Sequence, residues 1–306
     1  MKPLAHKPGA HRVPSRPDTI YSRVANIDTT LMDILMTAFG DVRRTTVKAW
    51  MKYGQVMAGS EIVTAFNHPI PAGTEVKVNI SRPWQTLSHP RLKIVYEDDD
   101  IIIVNKGYGL LSVATDNKKQ LTAYSILRDY VKRVNPANKI FIVHRLDQHT
   151  SGLMLFAKSI QAKDAMQHNW NNMVLDRRYA AIVEGRLEQD SGTIDTFLAE
   201  NTRHLMYVAD EKAPDAKRAV TRWTAVRSRS GYTLMDINLD TGRKNQIRAH
   251  MQHIGHPIAG DRRYGAKTSP AHRLCLHART LRFIHPITRQ DMNFSLPLPA
   301  SFNKIV

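Results

Sequence analysis

Between residues 140 and 157 the chain sets two short apolar runs, 140–143 and 153–157, on either side of the polar string His144, Arg145, Leu146, Asp147, Gln148, His149, Thr150 and Ser151. Runs of this length, rich in β-branched, aromatic and long aliphatic residues, predict two buried strands. A carboxylate at the end of such a strand costs several kcal/mol to bury unpaired, so Asp147 needs a partner or a cleft. Arg145, two positions earlier, would point the same way on an extended strand. The segment alone therefore fits two readings equally: a structural Arg145–Asp147 ion pair, or an acid at a functional cleft. The Thr150, Ser151 and Gly152 that follow suit a turn, since short polar side chains satisfy nearby backbone groups.

From about residue 92 the same pattern recurs. "LKIVYEDDDIIIVNK", the stretch above, "RRYAAIVEGRL", "AVTRWTAVRS" and "YTLMDINLDTG" read as strands, with further strands near residues 274 and 281. Helical periodicity is confined to about 122–134, 160–173 and 245–254. Hairpin-like succession with few helices predicts an α+β fold: a large mixed, mainly antiparallel sheet with peripheral helices over 92–306.

The chain ahead of it reads differently. Its first 17 residues hold four prolines, four Lys or Arg and no acid, so a basic disordered tail is expected over 1–18. Thr30 and Asp33 precede the apolar stripe Leu31, Ile34, Leu35, Ala38 and Phe39, a capping pattern that opens a helix ended by Gly40. A second helix fits 46–53, closed by Gly54, with Val47, Trp50 and Met51 on its apolar side. Arg44, Lys48 and Lys52 share its other face. Short strands are expected at 55–57, 61–63 and 74–80, and "SRPWQTLSHPR" reads as a linker, bounded at 83–91.

Charge says what such a chain meets. Forty-four Lys and Arg against 27 Asp and Glu leave a net +17, which favours a polyanionic partner, nucleic acid before an acidic membrane. Cys275 is the single cysteine, so a disulfide framework or cysteine-based zinc site within the chain is excluded, and its apolar strand makes it a core residue. No apolar run is long enough to span a membrane, and a cytoplasmic location is expected.

Two resemblances sharpen this. The helix pair, the "YGQVMAG" turn and the "AGTEVKV" strand resemble, over 19–82, the small α/β RNA-binding domain typified by ribosomal small-subunit protein four. That implies RNA contact by Arg44, Lys48 and Lys52. "HRLDQHTSGLMLFAK" is similar to the signature of the RluA family of RNA pseudouridine synthases, and four later stretches agree in order and spacing: "RRYAAIVEG", "TGRKNQIRAHM", "GHPIAGDRRYG" and "RLCLHARTLRFIHP". The resemblance spans about residues 92–300. It implies that Asp147 is the catalytic acid, that Tyr179 is the active-site tyrosine, and that Arg248 pairs with the acid. Arg145 would fill the gap left by an extruded nucleotide, with Arg243 a further RNA contact. No cofactor or metal is implied, and a monomer acting on RNA, ribosomal RNA of the large subunit before transfer RNA, is expected. Asn245 stands where the family usually has His, and "NKGYG" lacks the Pro common after its Lys.

The chemistry fits those residue types. Uridine becomes pseudouridine when the glycosidic bond breaks and the base, turned in place, rejoins through carbon five. A carboxylate can attack the sugar or take a proton from its second carbon; the sequence leaves both routes open. A cation beside Asp147 would keep it ionised, and a phenol can flank the uracil and assist loss of the carbon-five proton. For Arg248 a phosphate contact is the competing role. The target base must leave its stack. Rival readings of the same residues are a uracil-releasing RNA N-glycosidase and a non-catalytic ribosome-assembly factor. "GDRRYGAKTS" is rejected as a phosphate loop, because Ala266 separates Gly265 from Lys267. His250, His253 and His256 are rejected as metal ligands, because the first and third diverge on a helix that Gly255 and Pro257 break.

Overall fold

The computed structural model describes residues 19–81, 84, 87–114 and 120–306. The expected basic tail at 1–18, and residues 82–83 and 85–86 around the expected linker, lie outside them.

Residues 20–79 fold around helices Leu31–Ala38 and Arg44–Lys52 and an antiparallel sheet ordered Ile20–Val24, Glu75–Asn79, Val56–Ala58, Glu61–Ile62. The Thr30 side chain accepts from the Asp33 amide at 3.3 Å and donates to the Asp33 carboxylate at 2.6 Å, so one side chain satisfies an otherwise orphan donor of the first turn. Leu31, Leu35, Val47, Met51, Val56, Val76 and Val78 make a core of their own, drawn wholly from this stretch. With Val47 and Met51 turned inward, Arg44, Lys48 and Lys52 are left exposed.

Beyond Leu92 an 11-stranded sheet runs in the order Met206–Ala209, Ser191–Glu200, Lys217–Arg229, Tyr232–Leu239, Val174–Glu184, Leu276–Ile284, Ser151–Ala157, Ile101–Lys106, Leu92–Glu97. Asp291–Ser295 and Phe141–Ile142 attach to it from the side. Among the described strands of this sheet every pairing is antiparallel except the short one between Ser151–Ala157 and Leu276–Ile284, so the sheet is mixed as expected. That parallel contact explains Gly152. A Cβ there would lie 2.1 Å from the Ala278 carbonyl oxygen, and its φ of +118° is one that glycine alone adopts without strain. All seven residues of Ser151–Ala157 are buried. Asp147 lies in the loop that leads into this buried interior strand.

Three expectations need correction. The strand expected over 140–143 shortens to Phe141–Ile142, because the chain leaves the ladder at Val143 and the Leu155 amide donates instead to the His144 ring at 2.9 Å. The late strands expected near 274 and 281 are one strand, Leu276–Ile284, followed by Asp291–Ser295. The helix expected over 160–173 breaks at Asn169 into Ile160–His168 and Trp170–Met173. Asn169 turns its amide back to the Ala165 carbonyl at 3.3 Å, the side-chain competition that makes Asn a poor helix interior.

Candidate active site

Where the 143–150 loop meets the strand Val174–Glu184 and the start of the helix Gln246–His253, a cavity of about 430 Å³ opens. Asp147, Tyr179 and Arg248 all line it, with Arg145 and Arg243, both exposed, on its wall. The three side chains that the sequence set 32 and 69 residues apart therefore meet (147 to 179 to 248). Arg44, Lys48 and Lys52 do not line it.

Asp147 is placed by buried anchors on both sides. The Leu146 amide and carbonyl both bond the Ser112 hydroxyl, at 3.2 and 2.6 Å, and Thr150 donates its amide to the Asp147 carbonyl at 3.1 Å. The Lys106 ammonium, fully buried, donates to the carbonyls of Leu110 at 2.8 Å and Gln148 at 3.2 Å, tying the loop to the end of strand Ile101–Lys106. Burial pushes the Lys106 ammonium down to about 7; the charge of Asp147 opposes that shift and Arg273 adds to it. No direct Arg145–Asp147 bond is present among the described residues, so the ion-pair reading of the opening segment gives way to an acid on a cavity wall.

The expected Arg248–Asp147 pair is present as an ion pair, but the hydrogen bonds of Arg248 go to other partners. Arg248 Nε and Nη2 donate to the two oxygens of Asp261 at 2.6 and 2.8 Å, and Nη1 donates to Asn245 Oδ1 at 3.1 Å. The Tyr264 ring lies 4.6 Å from the guanidinium carbon. Asp147 is reached only at 3.9 Å, a charge contact beyond hydrogen-bond length. Nor does the cation win outright. Burial raises the Asp147 carboxyl above its ordinary 3.8, against the pull of Arg248, Arg145 and Lys106. Arg248 offsets desolvation without cancelling it.

Tyr179 lies half-buried next to a bulge at Arg178, where its strand slips register against Leu276–Ile284. Burial raises its phenol, opposed by Arg177, so it is a neutral hydroxyl at physiological pH. Asn245 opens its helix at φ 50°, in the left-handed region that Asn tolerates best among residues with a Cβ. Its amide also donates to the Tyr264 hydroxyl at 3.2 Å, so this residue both shapes the turn and holds Arg248.

Sequence reasoning passed over Asp261, Lys106, Arg177 and Tyr264. Asp261 and Tyr264 lay inside the quoted "GHPIAGDRRYG", and Lys106 inside "NKGYG"; nothing in those strings says what they touch. Among the described residues one carboxylate–histidine cluster, Asp98, Asp100 and His285, could be considered for a metal. It does not line the cavity, and Asp98 already accepts from two amides, the Tyr96 hydroxyl and His285.

An ionisable acid beside a fixed guanidinium and a neutral phenol, in an open cavity of a strongly basic chain, is the equipment of an enzyme that works on a nucleic acid. Comparison with known proteins gives the particular kind. Residues 100–253 match the family model described as RNA pseudouridylate synthase. A relative named an uncharacterized RNA pseudouridine synthase, YlyB of Bacillus subtilis (strain 168), is 34% identical over 279 residues, covering 89% of this chain and 91% of its own. The ribosomal large subunit pseudouridine synthase D of Pasteurella multocida (strain Pm70) is 30% identical over 289 residues, covering 89% and 88%. The solved structure titled Human RNA Pseudouridylate Synthase Domain Containing 4 shares the fold at a TM-score of 0.58 and 23% identity, over 69% of this chain and 92% of that one. The chain belongs to the RNA pseudouridylate synthase family, and is an isomerase that converts uridine to pseudouridine in RNA.

Proposed function

We propose that this enzyme isomerises uridines in ribosomal RNA of the large subunit, with Asp147 acting on the sugar of a uridine flipped into the 430 Å³ cavity. The convergence of Asp147, Tyr179 and Arg248 on that cavity carries the reading. Asp147, ionised, attacks the sugar or removes the proton from its second carbon. Arg248, fixed by Asp261 and Asn245, sets the field at the acid. Tyr179 flanks the freed uracil and its neutral hydroxyl takes part in moving the carbon-five proton. The relatives named ribosomal large subunit pseudouridine synthase D support ribosomal RNA over transfer RNA.

Residues 19–82 form, on this reading, a small RNA-binding domain that precedes the catalytic domain at 92–306. Their separate core and exposed basic face of Arg44, Lys48 and Lys52 support it. Arg145 and Arg243 hold the RNA at the mouth of the cavity, and the enzyme acts as a cytoplasmic monomer. The experiment is to map pseudouridines in cellular RNA with and without the gene, then to restore it as wild type or Asp147→Asn. Sites lost without the gene should return only with the wild type, while Asp147→Asn still binds RNA. Release of free uracil instead of a mass-neutral product would point to a glycosidase, and turnover by Asp147→Asn would refute the assignment.

A further inference from the structure

The catalytic cavity does not end at Asp147. A second lobe of about 210 Å³ adjoins it, and Trp170, Asn171, Arg177 and Leu239 line both. Trp170 opens the short helix Trp170–Met173 that follows the break at Asn169. Its half-buried ring is backed by the His144 ring at 4.9 Å and by the Arg177 guanidinium at 5.6 Å. These contacts fix the ring where it lines both lobes, and an indole so placed can stack a base.

Arg177 stands at the junction of the lobes. It donates to the Leu239 carbonyl at 3.3 Å and, among the described residues, has no carboxylate partner. Gly242 makes room for it, since a Cβ there would lie 3.0 Å from Arg177 Nη1. The floor of the second lobe is different in character. Asp176 and Asp240 line it, each already ion-paired at 2.8 Å, to Arg178 and Arg222, so this floor offers a phosphate no free cation. Asn238 lines it too, and its side-chain amide has no partner among the described residues. An amide presents a donor and an acceptor together, the pattern that reads the edge of a base.

We infer that the second lobe is a subsite for the nucleotide next to the target uridine. Its base stacks on Trp170 with its edge on the Asn238 amide, and its phosphate sits on Arg177. The subsite deepens the proposed reading and rests on it: while Asp147 treats every flipped uridine alike, Trp170 and Asn238 select which uridines are presented, by their neighbour.

Two arms test this. In the first, Trp170→Leu, Trp170→Phe, Arg177→Met and Asn238→Leu are compared on RNA from cells lacking the gene, with kcat and KM resolved on a fragment holding one mapped uridine. Trp170→Leu should lower kcat/KM by about ten- to a hundredfold, the size of one lost base–aromatic stack, through KM, and Trp170→Phe should restore most of it. Arg177→Met should raise KM and reduce the salt slope by about one. Asn238→Leu should redistribute activity among uridines according to the adjacent base. A fall in kcat with KM unchanged, or no change in Trp170→Leu, would overturn the inference. In the second arm, adenylate and uridylate octamers are titrated into wild type and Trp170→Phe, and tryptophan quenching is read. Extra quenching in the wild type is expected; equal quenching in both overturns the subsite. Should the wild type form no pseudouridine at all, the proposed function fails, and the second arm alone judges the subsite.

Discussion

Both carboxylate oxygens of Asp261 accept hydrogen bonds from Arg248, at 2.6 and 2.8 Å, while Asp147 stays 3.9 Å from the same guanidinium. The acid that tethers the cation is therefore not the acid to which the proposed mechanism assigns the chemistry. A guanidinium bound in this bidentate way cannot swing onto Asp147 and occupy its oxygens. Asp147 keeps a nearby positive charge and also keeps its lone pairs facing the cavity.

Removing the tether exposes its role. In Asp261→Asn, one amide donor faces a guanidinium donor, and Arg248 is left buried with only Asp147 to neutralise it. Breaking a buried pair by removing one partner costs about 3–5 kcal/mol. Urea unfolding should show a loss of that order, and single-turnover rates should fall at least tenfold at saturating RNA. Arg248→Lys should fail to restore them, because an ammonium cannot make the two parallel bonds. A variant with native stability and native rate would mean that the tether is dispensable.

On the proposed mechanism, the acid limb of the rate profile reports Asp147. Only the carboxylate can attack or abstract, and burial has raised its pKa above the ordinary 3.8. kcat/KM should therefore fall with decreasing pH at a midpoint above 3.8. Lys106, protonated below about 7, pulls that midpoint down. Lys106→Met should move the limb to higher pH. A limb that moves down, or not at all, would show that the lysine charge does not reach the acid.

Much of this was legible from residue types in order. The buried core 153–157 follows from an uninterrupted apolar run, whereas Ser151 and Gly152, which read as turn residues, extend that strand to Ser151–Ala157; the carboxylate of Asp147 just ahead of it was legible as one that needs a partner or a cleft. Partners were not legible. Nothing in a sequence says that Asp261, 13 positions from Arg248, will be nearer to it than Asp147 (261 less 248). Lys106 ends a strand, where lysine ordinarily reaches water, and its burial depends on three carbonyls brought together by separate loops. The break at Asn169 was hidden for another reason. Apolar periodicity continues through Ala162, Met166 and Met173, and only the poor helix formers Asn169, Asn171 and Asn172 hinted at it.

Lys106 also makes stability depend on pH. Its ammonium has an ordinary pKa of 10.5 when the chain is unfolded and about 7 when folded. Between those values the unfolded chain holds more protons, so stability rises with pH across the window; below about 7 both states are charged and the full cost of burial remains. The rise attributable to this one group over the whole window is on the order of 5 kcal/mol. Lys106→Met should flatten it: plotted against pH from 7 to 10, the unfolding free energy of the variant should lack the slope of the wild type. Parallel curves would show that the folded ammonium keeps its ordinary affinity for protons.

The basic face of the Arg44–Lys52 helix allows binding to be separated from chemistry. Arg44, Lys48 and Lys52 are exposed and lie outside the catalytic cavity, so neutralising them leaves Asp147, Tyr179 and Arg248 untouched. If these cations hold phosphates, each one neutralised removes about one released counterion from the salt dependence of binding. The triple change to Gln should therefore raise KM several-fold at moderate salt, flatten the plot of log KM against log salt by roughly two to three units, and leave kcat within twofold. The helix core of Val47 and Met51 is unaltered, so the unfolding midpoint should hold. A fall in kcat with an unchanged salt slope would place these residues in the folding or docking of the N-terminal part, and would remove them from the RNA contact.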